Sequence, residues 1–222
     1  MNNETLSEPK ISSNLDTNFL KIIAIITMLI DHIGYVFFPD RIELRIIGRI
    51  SFPLFAYCIA VGFLYTSNIK KYILRLAAFS ILSQPFYVLA FDLPWYELNI
   101  FPTLLMGLLI LYFLKEKKWI AAILLMMITS IGNFSYGLSG ILLIIMFYYF
   151  RNHRELSAMI AGMFLSIPFF SDGMYRIQGF AVFSIPLIYL RTNFRIRINK
   201  YIFYIFYPLH LLIIFLIKII IH

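Results

Sequence analysis

Apolar residues recur along this chain in long runs separated by short polar connections. The approximate bounds of these runs are 19–38, 46–66, 72–91, 99–114, 119–132, 136–150, 156–170, 178–190 and 201–221. About 20 helical residues cross a bilayer, whereas open β structure leaves backbone groups unpaired in lipid. The pattern predicts an all-α, polytopic transmembrane helical bundle of about nine helices, with a range of eight to ten.

Several middle runs are shorter than the roughly 17 to 25 residues of a typical spanning helix, so we expect tilted or re-entrant helices. Five prolines lie within or at the ends of apolar runs and are expected to bend the bundle around a cavity; they are Pro53, Pro85, Pro168, Pro186 and Pro208. Residues 1–18 are polar and are expected to form a disordered cytoplasmic tail. Residues 19–222 then form a single transmembrane domain.

Composition supports the same class, because 61% of the 222 residues are hydrophobic and 14% are charged. An average soluble domain is about 45 to 50% apolar. The net charge of +8 comes from short basic clusters between the runs, so we expect no nucleic-acid partner. The single cysteine, Cys58, excludes an intrachain disulfide. No His and carboxylate cluster has metal-ligand spacing, and we expect no metal.

Basic connections alternate with neutral or acidic ones. By the positive-inside rule, this pattern predicts a cytoplasmic N-terminus, an external His222 and a multi-pass protein of the cytoplasmic (inner) membrane. The sequence does not predict an oligomeric state. The basic connections, assigned to the cytoplasm, contain Lys70, Lys71, Arg75, Lys115, Lys117, Lys118, Arg151, Arg154, Arg191, Arg195, Arg197 and Lys200.

The first connection departs from this alternation, because Arg41, Arg45 and Arg49 fall on the predicted outer side. Arg45 and Arg49 are four residues apart and share a helical face. They could therefore bind one anionic substrate group. The alternative is that the arginines pair with nearby carboxylates, for which the candidates are Asp31, Asp40 and Glu43.

Asp31 and His32 stand inside the first apolar run, where an ionisable side chain is by default a functional-site hypothesis. His32 is the candidate general base, since an imidazole can take a proton from an amine or hydroxyl and return it to a leaving thiolate. The structural alternative is a histidine that only hydrogen-bonds a neighbouring helix. Asp31 could position His32, but adjacent helical residues point about 100 degrees apart. Asp31 could instead form a buried ion pair with Arg49.

Tyr207 and His210 share a face of the last run, so both could reach the same cavity. For each of these polar residues, a purely structural hydrogen bond remains the alternative. His153 and His222 are expected to be solvated. Further candidates for substrate binding are Arg75, Gln84, Asn99 and Thr103.

Six segments together resemble the TraX family over about residues 19–221. In chain order they read LKIIAIITMLIDHIG, LRIIGRISFPLFAYCIAVGF, KKYILRLAAFSILSQPFY, NIFPTLLMGLL, YGLSGILLI and FYIFYPLHLL. The family is named for a conjugation protein that acetylates the N-terminus of F-type pilin. By position, the resemblance implies functional roles for Asp31, His32, Arg49, Arg75, Gln84, Asn99, Tyr207 and His210.

This resemblance implies an acyltransferase that takes an acetyl group from acetyl-CoA, or another acyl-CoA, to a protein N-terminus, glycan or lipid. On this hypothesis His32 is the base, Asp31 tunes or positions it, and Arg49 with Arg45 binds an anionic group or the developing oxyanion. A cavity open to both faces would admit the donor near the basic connections. Two alternatives remain open: a small transporter, and a non-catalytic assembly factor of a conjugation or secretion system.

Overall fold

The computed structural model describes residues 13–192, 194 and 196–221, and the predictions made for residues 1–12, Arg195 and His222 lie outside them. The described chain is helical, apart from an isolated bridge between Leu98 and Phe134. The all-α prediction is confirmed. The α-helices are α1 (Thr17–Phe37), α2 (Ile42–Gly48), α3 (Ser51–Tyr65), α4 (Ile69–Phe91), α5 (Ile100–Lys115), α6 (Trp119–Ile131), α7 (Gly137–Tyr149), α8 (Arg154–Ser166), α9 (Ser184–Tyr189) and α10 (Lys200–Ile221).

Two predicted runs differ locally from single α-helices. The run 46–66 is divided into α2 and α3, because Pro53 has no N–H to donate to the carbonyl of Arg49 four residues earlier. The run 178–190 is largely the second of two 3-10 segments, which cover Ile167–Phe170 and Gly173–Phe183. Only the short α9 follows it. At these two places the backbone departs from a single continuous α-helix.

Four described helical segments are long and apolar enough to cross a membrane: α1, α2 together with α3, α4 and α10. α5, α6 and α7 are shorter apolar helices. Exposed apolar side chains recur at helical spacing along α10, as a lipid-facing stripe requires; they are Ile202, Ile205, Leu209, Ile213 and Leu216. The chain is therefore a membrane protein. The cytoplasmic position of its N-terminus stays a prediction.

α3 lies in the middle of the bundle and packs against α1, α5, α7 and α9. Most of its side chains are buried, including Phe52, Leu54 and Tyr57. α1 packs against α2 and α3 on one side and against α10 on another, and α10 also contacts α4. Side chains on different faces of α1 can therefore reach α2 and α10.

The packed domain begins before residue 19, within the stretch predicted as a disordered tail. Asn14 is 1% exposed. Its side-chain amide donates to the carbonyl of Leu187 at 3.3 Å and to Thr192 Oγ1 at 3.0 Å. The Tyr57 hydroxyl donates to the Asn14 carbonyl at 2.7 Å. These bonds attach Asn14 to α3, to α9 and to the segment after α9, so the predicted tail extends too far into the packed domain.

Candidate functional site

Asp31 and His32 are adjacent on α1 and contact different neighbours. Asp31 faces Arg45 and Arg49, which precede α3, while His32 meets His210 on α10. This separation follows from the rotation of about 100 degrees between consecutive helical residues. The two side chains line the same cavity without hydrogen-bonding each other. Of the two sequence interpretations of Asp31, the geometry favours the ion pair with Arg49.

The two histidines form a hydrogen-bonded chain that ends on a backbone carbonyl. His32 Nδ1 lies 2.8 Å from His210 Nε2, and His210 Nδ1 lies 2.9 Å from the carbonyl oxygen of Phe206. A carbonyl oxygen only accepts, so His210 Nδ1 carries a proton, and its neutral ring leaves Nε2 as an acceptor. His32 Nδ1 therefore donates to His210. In the neutral pair this leaves His32 Nε2 without a proton.

His32 Nε2 receives no hydrogen bond from the described residues, and the His32 side chain lines a cavity of about 260 Å³. The ring is held in place by aromatic neighbours: its centroid is 4.9 Å from that of Phe91 and 6.3 Å from that of Tyr207. His210, by contrast, is only 4% exposed. His32 thus lines the cavity, while its partner His210 is buried in the bundle.

Asp31 binds two arginines with its two carboxylate oxygens. Arg49 Nη2 lies 2.5 Å from Oδ1, and Arg45 Nη1 lies 2.9 Å from Oδ2. Arg45 also donates to the Asp31 carbonyl, and Arg49 Nε donates to the Arg45 carbonyl, both at 3.1 Å. Asp40 and Glu43, the other predicted partners, are exposed. One carboxylate against two guanidinium groups leaves a local net charge of +1 beside the cavity.

Gly48 allows this ion cluster to form. A Cβ at position 48 would lie 2.2 Å from Asp31 Cβ, far inside van der Waals contact. The absence of a side chain lets α1 and α2 approach closely enough for Asp31 to reach both arginines. The sequence analysis did not identify Gly48, because its role depends on which residue of α1 faces α2.

Tyr136 and Gln178 also line this cavity and were not predicted. The Tyr136 ring stacks on Phe52, with centroids 3.7 Å apart and planes inclined by 7 degrees. Tyr136 precedes α7 and Gln178 lies in the second 3-10 segment, so no spacing along the chain relates them to His32. The only signal was that Tyr136 opens one of the family-like segments.

Gln84 and Asn99 form a separate cluster that lines neither this cavity nor the larger one described below. Gln84 Nε2 donates to the carbonyls of Trp95 and Glu97, and Gln84 Oε1 accepts from Asn99. Asn99 Nδ2 also donates to the Ser80 carbonyl. Asn99 Oδ1 accepts from the N–H of Phe101 and caps α5. All of these polar groups have partners, so the cluster fastens α4 to α5.

The remaining predicted binding residues fall at different places. Tyr207 lines both cavities, and Arg75 lines the larger one. Thr103 is fully buried in α5 and lines neither. Within the described ranges, no three His, Cys, Asp or Glu side chains lie close enough together to hold a metal ion. His32 and the Asp31 ion cluster are therefore the chemistry-bearing groups of the smaller cavity, and His210 does not line it but hydrogen-bonds His32.

A family model described as "TraX protein" matches residues 16–218. Protein TraX of Escherichia coli is 30% identical over 159 residues, which cover 68% of this chain and 64% of that protein. In strain K12, Protein TraX is 27% identical over the same coverage. A probable fimbrial assembly protein, FimC of serogroup H1 of Dichelobacter nodosus, is 42% identical over 89 residues, 36% of each chain. The chain thus spans less than two thirds of the length of these relatives. No solved structure matches the chain.

Proposed function

The chain belongs to the TraX family, and on this premise we propose that it is an acyltransferase of the cytoplasmic membrane. The substrate pair is acetyl-CoA and an amine or hydroxyl on a protein N-terminus, an envelope glycan or a lipid. One observation carries the proposal: His32 lines a cavity inside the bundle while its Nδ1 is bonded to His210, an arrangement that leaves Nε2 as the acceptor of the neutral ring. A link between the family and acetylation of F-type pilin points the same way.

The proposed reaction needs a base that later serves as an acid. His32 Nε2 takes the proton of the acceptor N–H or O–H while the nitrogen or oxygen bonds to the thioester carbonyl carbon. The tetrahedral intermediate then collapses, the carbon–sulfur bond breaks, and the thiolate takes the proton back from Nε2. His32 ends the cycle neutral. The bond from Nδ1 to His210 holds the ring in the tautomer that this sequence requires.

The ion cluster supplies positive charge close to the reacting carbonyl. Arg45 and Arg49 exceed the charge of Asp31 by one, and both line the cavity with His32. Positive groups that are fixed in advance stabilise a developing oxyanion because they need no reorganisation during the reaction. The Arg45 side chain is 23% exposed and that of Arg49 is 8% exposed. Arg45 is therefore the direct candidate for oxyanion contact, and Arg49 positions Asp31.

The test is a transfer assay that does not assume the acceptor. The purified protein in lipid nanodiscs is given acetyl-CoA with an isotopically labelled acetyl group and an envelope fraction from cells that lack the protein. Mass spectrometry then searches protein N-termini, glycans and lipids for the labelled acetyl group. Label in one acceptor class, dependent on the protein, supports the proposal. Absence of label from every fraction contradicts it.

A second candidate function is non-catalytic assistance in fimbrial or pilus assembly. The observation that favours it is the similarity to the Dichelobacter nodosus relative, a probable fimbrial assembly protein. An assembly factor needs intact helix surfaces but not a free imidazole nitrogen. Cells with His32→Gln protein would then assemble surface filaments normally, whereas an acyltransferase variant would leave the acceptor unmodified.

A further inference from the structure

A second, larger cavity lies next to the His32 cavity in the bundle. Its volume is about 550 Å³, compared with about 260 Å³ for the first. Small-molecule sites are typically about 300 to 1,000 Å³, so of these two cavities the larger one falls in the range expected for a coenzyme. Both cavities are lined by Met28, Phe55, Ile100 and Tyr207. These shared residues make the two cavities neighbours with common walls.

The larger cavity has basic residues at one end of the bundle. Lys21, Arg75 and Lys200 line it, and they lie near the starts of α1, α4 and α10. Thr66 and Ser67, in the connection from α3 to α4, add hydroxyl groups at the same end. None of the described residues that line this cavity is acidic. Three cations without a lining carboxylate favour an anionic ligand, since phosphate binds Lys and Arg through charge-assisted hydrogen bonds.

Arg75 is held at this end with hydrogen-bonding capacity to spare. Its guanidinium lies over the Tyr72 ring, 5.6 Å from the centroid. Its Nε atom is buried and has no hydrogen-bond partner in the described part of the chain. A buried donor without a partner costs free energy, so a ligand acceptor at this place would remove that cost.

Beyond the basic end the walls become apolar and lead toward the histidine pair. Ile59, Leu76 and Leu104 line this part, and Tyr207 follows where the two cavities share a wall. Lys21 and His32 are eleven residues apart on α1, which corresponds to about 16 Å along the helix axis. A ligand that spans this distance must have an anionic head and a narrow, largely uncharged arm.

We propose that the larger cavity is the acyl-donor site, with the nucleotide phosphates of coenzyme A at Lys21, Arg75 and Lys200 and the thioester arm along the apolar walls toward His32. This inference rests on the proposed acyltransferase function, because it assigns a place to the donor of that reaction. It also separates the substrates: the donor enters from the end of the bundle where α1 begins. The acceptor reaches the smaller cavity.

Cys58 provides a reporter that needs no mutation. It is the single cysteine of the chain, and it lines the larger cavity but not the smaller one. The probe is desulfo-coenzyme A, which lacks the thiol that would react with a maleimide. Because Cys58 is only 5% exposed, the reagent is a small uncharged maleimide. In phosphatidylcholine nanodiscs the full chain should alkylate at Cys58 several-fold more slowly when the probe is present. Intact-mass spectrometry measures the rate. An unchanged rate at saturating probe overturns the placement.

Variants then locate the phosphates by calorimetric titration with the same probe. Arg75→Gln should raise the Kd about tenfold or more, because a hydrogen bond to a charged group is lost. Lys21→Gln should also weaken binding, and both effects should shrink at high salt. Lys118→Gln is the matched control: this exposed lysine lies in a basic connection but does not line the cavity. It should change the Kd less than about twofold.

The outcomes distinguish this inference from the proposed function. If the probe binds and His32→Gln binds it equally well but fails to transfer acetyl, both stand. If the probe binds while Arg75→Gln and Lys21→Gln bind it normally, the donor site is elsewhere and the proposed function survives. If neither binding nor transfer occurs, both fail. If phosphatidylglycerol in the nanodisc, rather than the probe, protects Cys58, the cavity is a lipid site and the inference fails.

Discussion

His32 meets His210 between α1 and α10, and Gln84 meets Asn99 between α4 and α5. Both pairs are polar side chains in apolar surroundings. The histidines join helices that are distant in sequence, whereas the amides join two consecutive helices. In the amide pair every polar group has a partner, and neither residue lines the two cavities. In the histidine pair one nitrogen is left without a partner beside a cavity. Both pairs place polar groups in apolar surroundings, but only the histidine pair has a nitrogen that is free to accept a hydrogen bond.

This difference separates a structural from a chemical use of buried polarity. Burying a polar group without a hydrogen bond costs free energy. In the cluster of Gln84 and Asn99, hydrogen bonds within the protein offset the cost of burying these amides. His32 Nε2 has no hydrogen-bond partner among the described residues, so its burial is not explained by a stabilising contact within the fold. The Asp31 ion cluster is intermediate, because its charges are paired with one another and still line the cavity.

His32→Gln should have the largest effect on transfer. Removing a general base lowers the rate by about 10²- to 10⁴-fold, and glutamine fills similar space without a basic nitrogen. The rate of labelled acetyl transfer measures the effect, with circular dichroism to check helix content. His153→Gln, in the exposed connection before α8, is the control and should retain the full rate. Normal transfer by folded His32→Gln protein would place His32 with the structural histidines.

Asp31→Ala should have the largest effect on stability. The variant leaves Arg45 and Arg49 without their shared carboxylate, and breaking a buried ion pair costs about 3 to 5 kcal/mol. Denaturant titration in detergent measures the free energy of unfolding. The exposed Asp40→Ala is the matched control and should change it by less than about 0.5 kcal/mol. Equal stability of both variants would show that the ion cluster does not hold α1 to α2.

Asn99→Ala should affect stability and leave the chemistry intact. It removes the α5 cap and the bonds to Gln84 and Ser80, with an expected loss of about 1 to 3 kcal/mol. The transfer rate per folded molecule should stay at the wild-type value. The exposed Asn152→Ala controls for loss of an amide. A rate that falls more than tenfold in folded Asn99→Ala protein would contradict the distinction between the two clusters.

Gly48→Ala tests the close approach that the ion cluster requires. Its added methyl group would meet Asp31 Cβ at 2.2 Å, so overpacking should cost about 1 to 3 kcal/mol. Gly162→Ala is matched because a Cβ at Gly162 meets nothing within 4 Å. That control should be neutral or stabilising by up to about 1 kcal/mol, since alanine favours the helix. Thermal unfolding of the two variants in parallel measures the difference. A Tm of the Gly48→Ala protein equal to or above that of the Gly162→Ala protein would contradict the close approach of α1 and α2.

The helices could be predicted from the sequence because apolar runs of this length have few alternatives in a membrane. A bend near Pro53 was expected, but the division of the run into two helices at Arg49 and Ile50 was not predicted. Asn14 was assigned to the tail because its polarity resembles that of disordered segments. Only its tertiary partners Leu187 and Thr192 show that it is buried.

In the candidate site, sequence reasoning could select residues but not their contacts. Asp31, His32 and Arg49 stand out because charge is rare in apolar runs. Helical rotation was enough to question a direct Asp31–His32 pair. It was not enough to identify His210 as the partner of His32, nor Gly48 as the point of contact, because both depend on which faces of α1 pack against α10 and α2.

The most direct test of the account is the proton position on His32. The chain has four histidines, and ¹⁵N NMR of the imidazole nitrogens, assigned with His153→Gln and His222→Gln variants, reports which nitrogen of each ring is protonated. At a pH where both rings are neutral, the account predicts protons on Nδ1 of His32 and on Nδ1 of His210, with His32 Nε2 bare. A proton on His32 Nε2 would contradict the proposed base.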